Sequence, residues 1–306
     1  MSFAPLALVG TTASGKSAVA MAVAQALGDV EILCVDSMCV YQEMDIGTAK
    51  PTRADQALVA HHLLDLVDPS QEFSVAEFQR ATKAAIAEVQ ARGHQPLLVG
   101  GTGLYHRAVI DDLELPGRYP EVANGLWDRL VGGEDLFAEL ERLDPVAASR
   151  MEPDNDRRVV RALEVTVGSG RPFSSYGPGL ESYGTPGIAQ VGLSYHRAEV
   201  DEAIAERVGE FMARGFLDEV ERLARRPRGM SRTARQAVGY RELLSHLEDG
   251  IDLDRAVGAT VRATKKLARR QWAWFGRDPR ITWVEPSEAQ EALRTALLAA
   301  RAEVPD

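Results

Sequence analysis

Gly10-Thr11-Thr12-Ala13-Ser14-Gly15-Lys16-Ser17 follows the apolar run Leu6-Ala7-Leu8-Val9 and completes the spacing G-x-x-x-x-G-K-[ST] in eight residues. The run reads as a parallel strand buried on both faces. Ser17 to Leu27 is rich in Ala, Met, Val and Leu, and Gly28 is placed to end a helix there. Strand, glycine loop and helix start, in that order, surround an anion with backbone N–H groups and the positive helix end. Lys16 then reaches the outer phosphate, and the Ser17 hydroxyl is the expected ligand for Mg²⁺. The loop predicts polyphosphate binding and leaves open whether the phosphate carrier is a nucleotide.

Outward from the loop, the first hundred residues read as strand–helix units. Strands are expected at 6–9, Glu31 to Val35 and Leu97 to Val99, with helices at 16–27 and 74–92. Ser74-Val75-Ala76-Glu77 has the form of a capping box, and Gly93 ends that helix. Such alternation predicts an α/β fold, a P-loop-type parallel sheet core covered by helices, with ligands at the carboxyl ends of the strands. Near Leu113 to Pro120 the pattern breaks, and the following stretch is helical, including a helix from Asp156 to Val167. Residues 113–190 are therefore expected to form a mainly helical insertion domain, interrupting a core made of 1–112 and 191–306. Ala189 to Tyr195 reads as a returning strand, Glu199 to Arg277 as three or four amphipathic helices, and Ile281 to Glu285 as a last short strand.

Composition narrows the classes. The 306 residues are 45% hydrophobic and 26% charged, which is ordinary for a soluble globular chain. No apolar run approaches the ~20 residues that span a bilayer, and the start lacks a basic, cleavable leader, so a cytoplasmic protein is expected. Two cysteines, Cys34 and Cys39, are too few for a disulfide framework. The net charge of −10 argues against nucleic acid, but its distribution does not: residues 207–280 carry 17 Lys and Arg against 10 Asp and Glu. A basic segment in an acidic protein binds a polyanion locally or forms a solvated helix face.

Strand ends deliver the candidate chemistry. The second ends in Val35-Asp36-Ser37 and the third in Val99-Gly100-Gly101-Thr102-Gly103, both converging on the phosphate loop. Asp36 has three readings: a Mg²⁺-holding carboxylate, a proton acceptor for a substrate amine or hydroxyl, or a helix N-cap. The glycine turn allows close backbone approach, and Thr102 is a donor to a phosphate oxygen. His61 and His62 have no partner set for a metal and read as structural.

From Asp36 to Pro51 the chain reads Asp-Ser-Met-Cys-Val-Tyr-Gln-Glu-Met-Asp-Ile-Gly-Thr-Ala-Lys-Pro. This block resembles the tRNA dimethylallyltransferase (isopentenyltransferase) family, with its pattern D-S-x-x-x-Y-x-x-M-D-I-G-T-A-K-P after the phosphate loop. Further matches run through His61-His62-Leu63-Leu64-Asp65, Leu98 to Tyr105, Arg158 with Arg161 to Val165, Gly239 to Glu242, and Ala268 to Gln271 before Trp274-Phe275, so that nearly the whole chain is covered. The resemblance implies that Gly10 to Ser17 hold the diphosphate of dimethylallyl diphosphate, with Mg²⁺ on Ser17. It implies prenylation of N6 of adenosine 37, beside the anticodon of a tRNA. It gives Asp36 the role of proton acceptor and places Thr102 and Arg207 at the diphosphate. For the tRNA anticodon stem-loop it points to Asp36, Ser37, Met38 and Cys39, to Arg157, Arg158, Val159, Val160 and Arg161, and to Arg235 and Gln236. No membrane and no obligate protein partner are implied, and a monomer is expected.

Three positions depart from the family pattern. Asp154-Asn155 reverses the usual Asn-Asp, Lys265-Lys266 stands where Arg-Gln is common, and Thr11 replaces a proline. The alternatives are a P-loop small-molecule or nucleotide kinase, an RNA-binding protein retaining the loop, and prenylation of free AMP, ADP or ATP. The kinase reading predicts an acidic Mg²⁺ motif on a later strand, where this chain has Gly-Gly-Thr-Gly.

Overall fold

β1 (Leu6–Val9) ends at the phosphate loop and is flanked by β4 (Gln95–Gly100) and β5 (Ala189–Leu193), both parallel to it. The computed structural model describes residues 3–302. With β2 (Val30–Val35), β3 (His61–His62) and β6 (Ile281–Val284), the strands form a six-stranded parallel sheet in the order β3-β2-β4-β1-β5-β6. Alternation along the strands feeds two cores. Ala7, Leu33, Val35 and Leu98 face one, while Leu6, Leu8, Ile32, Cys34, Leu97 and Val99 face the other. Burial on both faces explains why these strands read as continuous apolar runs.

The second face is covered by α1 (Lys16–Leu27), through Val19, Ala20, Val23 and Ala24, and by α14 (Ala289–Ala302), through Ala289, Leu293 and Leu297. The first face is covered by α3 (Val75–Ala91) and α4 (Gly103–Ile110), followed later in the chain by α9 (Arg197–Ala213), α10 (Phe216–Ala224), α11 (Arg232–Arg235), α12 (Tyr240–Asp249) and α13 (Leu253–Phe275). Five helices thus stand between 197 and 275, where three or four were expected, because Gly215, Gly229, Gly239 and Gly250, each at positive φ, break the run. The predicted caps hold: Ser74 and Glu77 make the reciprocal capping box, and Gly28 takes a left-handed C-cap at φ 78°. The sheet strand β3, the short α2 (Arg53–Leu58) and α14 are elements that the sequence patterns did not reveal. β3 is two residues long, too short for a period to show.

By contacts the chain falls into two units, residues 1–110 with 186–306, and residues 111–185. The second unit holds α5 (Pro120–Val131), α6 (Leu136–Leu143), α7 (Pro145–Ala148), α8 (Asp156–Ser169) and a 3-10 turn at Phe173–Tyr176. Its core gathers Leu126, Leu136, Leu140, Val159, Val160 and Leu163. Asn155 caps α8, its side chain accepting from the Arg158 N–H at 3.3 Å, so the reversed Asp-Asn order still supplies a cap. No helix among the described residues is long and apolar enough to cross a membrane.

At the amino end of the sheet, away from the phosphate loop, Glu31 is buried and takes hydrogen bonds from Arg92 Nε at 3.0 Å and Nη2 at 2.7 Å. It also lies 2.5 Å from His62 Nε2 and 2.7 Å from His94 Nδ1. Burial alone would raise its carboxyl, but the bonds to Arg92 and His62 outweigh that and hold it at about 2, against an ordinary 4.5. A carboxyl lowered on folding stabilises the fold above its unfolded value and loses that contribution as pH falls through the folded one. Urea unfolding followed from pH 6 to pH 2 should show stability falling from about 4.5 to about 2. Glu31→Gln should be less stable at neutral pH and lose most of that slope.

Candidate active site

The phosphate loop owes its shape to two left-handed residues. Gly15 at φ 84° forms the N-cap of α1, and Ala13, at φ 61°, adopts a conformation that side chains disfavour and that recurs at ligand-holding loops. Lys16 Nζ donates to the Thr11 carbonyl at 2.9 Å, folding the side chain back over the loop. Thr11 itself is buried and serves Lys16 through its backbone carbonyl, a group that any residue at this position supplies. The Ser14 hydroxyl is buried inside the loop against Gly10, with no protein partner.

α13 braces this loop from the far end of the sequence. The Thr12 N–H donates to Gln271 Oε1 at 2.7 Å across 259 positions. Three residues on, Trp274 packs against the start of α4: a Cβ added at Gly103 would stand 2.2 Å from its ring, so a larger residue there would have to displace it. Gln271 is the site residue that motif reading left without a role. Its signal was present as the Gln of Ala268 to Gln271, but no spacing rule connects it to position 12.

The ends of β2 and β4 meet as expected. The Ser37 N–H donates to Thr102 Oγ1 at 3.2 Å, and Asp36 Oδ1 accepts from the N–H groups of Met38 at 2.8 Å and Cys39 at 3.2 Å. Asp36 therefore orders a turn and not a helix start, which replaces the N-cap reading by an Asx turn.

These groups line one cavity of about 320 Å³ in the first unit. Thr12, Lys16, Ser17, Asp36, Ser37, Met38, Cys39, Thr102, Arg207 and Gln236 all reach it. From α9 come Ile204, Arg207, Val208 and Phe211, and from α13 Thr260, Thr264, Leu267 and Gln271, each set on one helical face. The threonines bond their hydroxyls back to Ala256 and Thr260 carbonyls and so turn methyl groups inward. The result is a polar, cationic end at the loop and an apolar remainder.

Electrostatics favour an anion at the loop. Burial pulls Lys16 down to about 8 from 10.5, opposed by Asp36 and reinforced by the nearby Arg207. Arg207 is also lowered, chiefly by burial. A buried lysine lowered further by a neighbouring cation is relieved by a bound polyanion. No group of three His, Cys, Asp or Glu suited to a metal occurs among the described residues. The Ser17 hydroxyl and the Asp36 carboxylate, both on the cavity, fit the partial oxygen set of a Mg²⁺ whose other ligands are phosphate oxygens and water.

The residues expected at RNA divide. Arg157 and Arg158 are exposed on α8 in the second unit, whereas Val159 and Val160 are buried in that unit's core and present no side chain to a partner. Arg161 is turned onto the Pro116 and Gly117 carbonyls and Glu164. Arg235 is ion-paired with Glu248, while the neighbouring Gln236 reaches the cavity. Cys39 is buried, its thiol directed to the Thr48 carbonyl. Arg226, in the basic segment, is half-buried and pins Glu43 and Asp68. His62 is structural through Glu31, but His61 lies on the cavity.

A six-stranded parallel sheet with a glycine-rich loop at a strand end, facing Asp36 across one cavity, defines an α/β protein of the P-loop type. The family model described as IPP transferase matches residues 39–278, and the chain belongs to that family. It is 45% identical to a tRNA dimethylallyltransferase of Bifidobacterium adolescentis over 299 residues, covering 96% of this chain and 86% of that one. It is 44% identical to one from Salinispora tropica, covering 96% and 93%. A crystal structure of a full-length tRNA isopentenylpyrophosphate transferase from Bacillus halodurans superposes with a TM-score of 0.71 at 32% identity, covering 98% and 97%. A eukaryotic dimethylallyltransferase acting on tRNA shares the fold, with a TM-score of 0.77 at 23% identity over 96% of this chain and 78% of that one.

Inorganic diphosphate binding, measured by calorimetry, should weaken as pH rises through about 8, where Lys16 loses its proton. Lys16→Met should bind far more weakly and lack that added pH dependence.

Proposed function

We propose that the chain transfers a dimethylallyl group from dimethylallyl diphosphate to N6 of adenosine 37 of a tRNA, releasing diphosphate. The observation that carries this reading is a single cavity joining a phosphate loop with two cations, Lys16 and Arg207, to one carboxylate, Asp36, and an apolar wall. The apolar wall beyond the cationic end suits a prenyl chain joined to the diphosphate.

In this reading the loop amides, Ser14, Lys16 and Arg207 hold the donor's diphosphate. As the C1–O bond breaks, negative charge grows on the departing oxygens, and donors already aimed there lower the barrier. The Thr102 hydroxyl, which accepts from Ser37, keeps its proton for a phosphate oxygen. The N6 amine is a weak nucleophile because its lone pair is delocalised into the purine. Asp36 accepts a hydrogen from it as the N6–C1 bond forms, and the two backbone N–H groups on Oδ1 keep the carboxylate oriented. When bound, Mg²⁺ would supply further charge neutralisation, and the Ser17 hydroxyl would be its ligand from this chain. A base is reached only when taken out of the anticodon loop's stack, and a deep cavity requires such extrusion. Arg157 and Arg158, with the exposed Arg262, Lys266, Arg269 and Arg270 of α13, are assigned to RNA phosphates.

The test is incubation with labelled dimethylallyl diphosphate, Mg²⁺ and unmodified tRNA bearing adenosines 36 to 38, with AMP in parallel. Label should enter tRNA alone. Label in AMP but not tRNA overturns the acceptor assignment, and ATP-dependent phosphorylation without prenyl transfer favours a kinase. Asp36→Ala should lower kcat by about 10²- to 10⁴-fold with little change in tRNA affinity. Arg207→Ala should raise KM for the diphosphate donor, and unchanged kinetics would reject its role.

A further inference from the structure

Glu219 on α10 is buried, with 2% of its surface exposed, and no Lys, Arg or His pairs with it among the described residues. Four donors surround it instead. Oε2 accepts from the N–H groups of Asp45 at 3.1 Å and Ile46 at 2.9 Å, and Oε1 accepts from the Gly47 N–H at 3.3 Å and the Tyr240 hydroxyl at 2.5 Å. A carboxylate is an acceptor only, so its capacity is filled by one backbone turn and one helix-borne phenol.

The turn is held from its other side as well. Lys50 Nζ, itself buried, donates to the Tyr41 carbonyl at 2.8 Å and to the Asp45 and Asp65 carboxylates at 2.7 Å each. Between these anchors Gly47 is pressed against aromatic rings, since a Cβ there would lie 2.2 Å from Phe216 and 2.6 Å from Tyr240. Phe216 and Tyr240 meet edge to face at 5.0 Å. Gly47, Phe216 and Tyr240 all line the cavity beside Gln236, Ala237 and Val238.

Helix α13 measures how far this wall stands from the diphosphate. Gln271 touches the phosphate loop, whereas the Thr260 methyl lies 3.4 Å from a Cβ placed on Gly239. The helix rise between Thr260 and Gln271 amounts to about 16 Å. Loop and wall therefore meet this helix about three turns apart, and the Gly47–Tyr240 wall is taken as the acceptor's side of the cavity.

We infer that Glu219 is a positioning residue for the acceptor nucleoside: its carboxylate locks the Asp45–Gly47 turn to Tyr240 and thereby sets the shape of the wall that receives the base. The inference rests on the prenyl-transfer reading above. Glu219→Gln keeps the size but offers one acceptor oxygen and an N–H₂ to a site made of donors, and Tyr240→Phe removes a single donor.

Steady-state prenyl transfer from dimethylallyl diphosphate to unmodified tRNA tests it. KM for tRNA should rise about 5- to 20-fold in Glu219→Gln and about 2- to 5-fold in Tyr240→Phe, with KM for the donor and inorganic diphosphate binding changed less than about twofold. Glu219→Asp should not rescue, because a shorter side chain leaves the turn. An unchanged KM for tRNA, or both KM values rising together, overturns the inference. If Glu219→Gln does not fold, Tyr240→Phe decides by the same criterion. Absence of transfer by the unsubstituted protein would fell the prenyl-transfer reading and the inference with it, whereas transfer with no variant effect on tRNA would fell the inference alone.

Discussion

A hydrogen bond between Thr12 N–H and Gln271 Oε1, across 259 positions of sequence, fixes the phosphate loop against the helix that walls the cavity. The loop carries a left-handed alanine and a left-handed glycine, and such a backbone persists only where surrounding structure over-determines it. β1 anchors it on one side and α13 on the other. Trp274, one turn further on, closes over Gly103 and couples the same helix to the β4 turn that delivers Thr102. Donor site and carboxylate are therefore held by one brace.

The same logic governs the stretch from Met44 to Pro51. Its most distinctive residues do little chemistry themselves. Met44 and Lys50 are buried, Lys50 satisfies two carboxylates and a carbonyl, and the backbone amides of Asp45 to Gly47 are spent on Glu219. Buried polar groups tolerate little loss of a partner, because each unpaired group keeps its full desolvation cost. The specificity of this block as a sequence signature thus comes from satisfying a buried polar network beside a cavity.

Local rules made much of this legible. The G-x-x-x-x-G-K-[ST] spacing, the apolar runs and the caps at Gly28 and Ser74 depend on neighbours a few residues apart, and strand, loop and helix follow from them. Asp36 and Thr102 were found because strand ends in a parallel sheet converge on one edge. The insertion and the basic segment were legible as helical, but not their sorting: Val159 and Val160 belong to a core, and Arg161 and Arg235 are occupied by carbonyls and carboxylates. Charge type in a sequence says that a residue can bind phosphate, not whether a protein partner has already taken it.

By itself, the sequence determined the parallel α/β architecture, the anion loop and the two strand-end groups, since these arise from periodicity and from contacts within short windows. Only the tertiary structure decided that Gln271 braces the loop, that Glu219 binds the Asp45–Gly47 turn to Tyr240, and which arginines stay exposed. Those pairings join residues about 20 to 260 positions apart, where no period or spacing rule operates and where burial and donor–acceptor matching are settled only once the helices have packed.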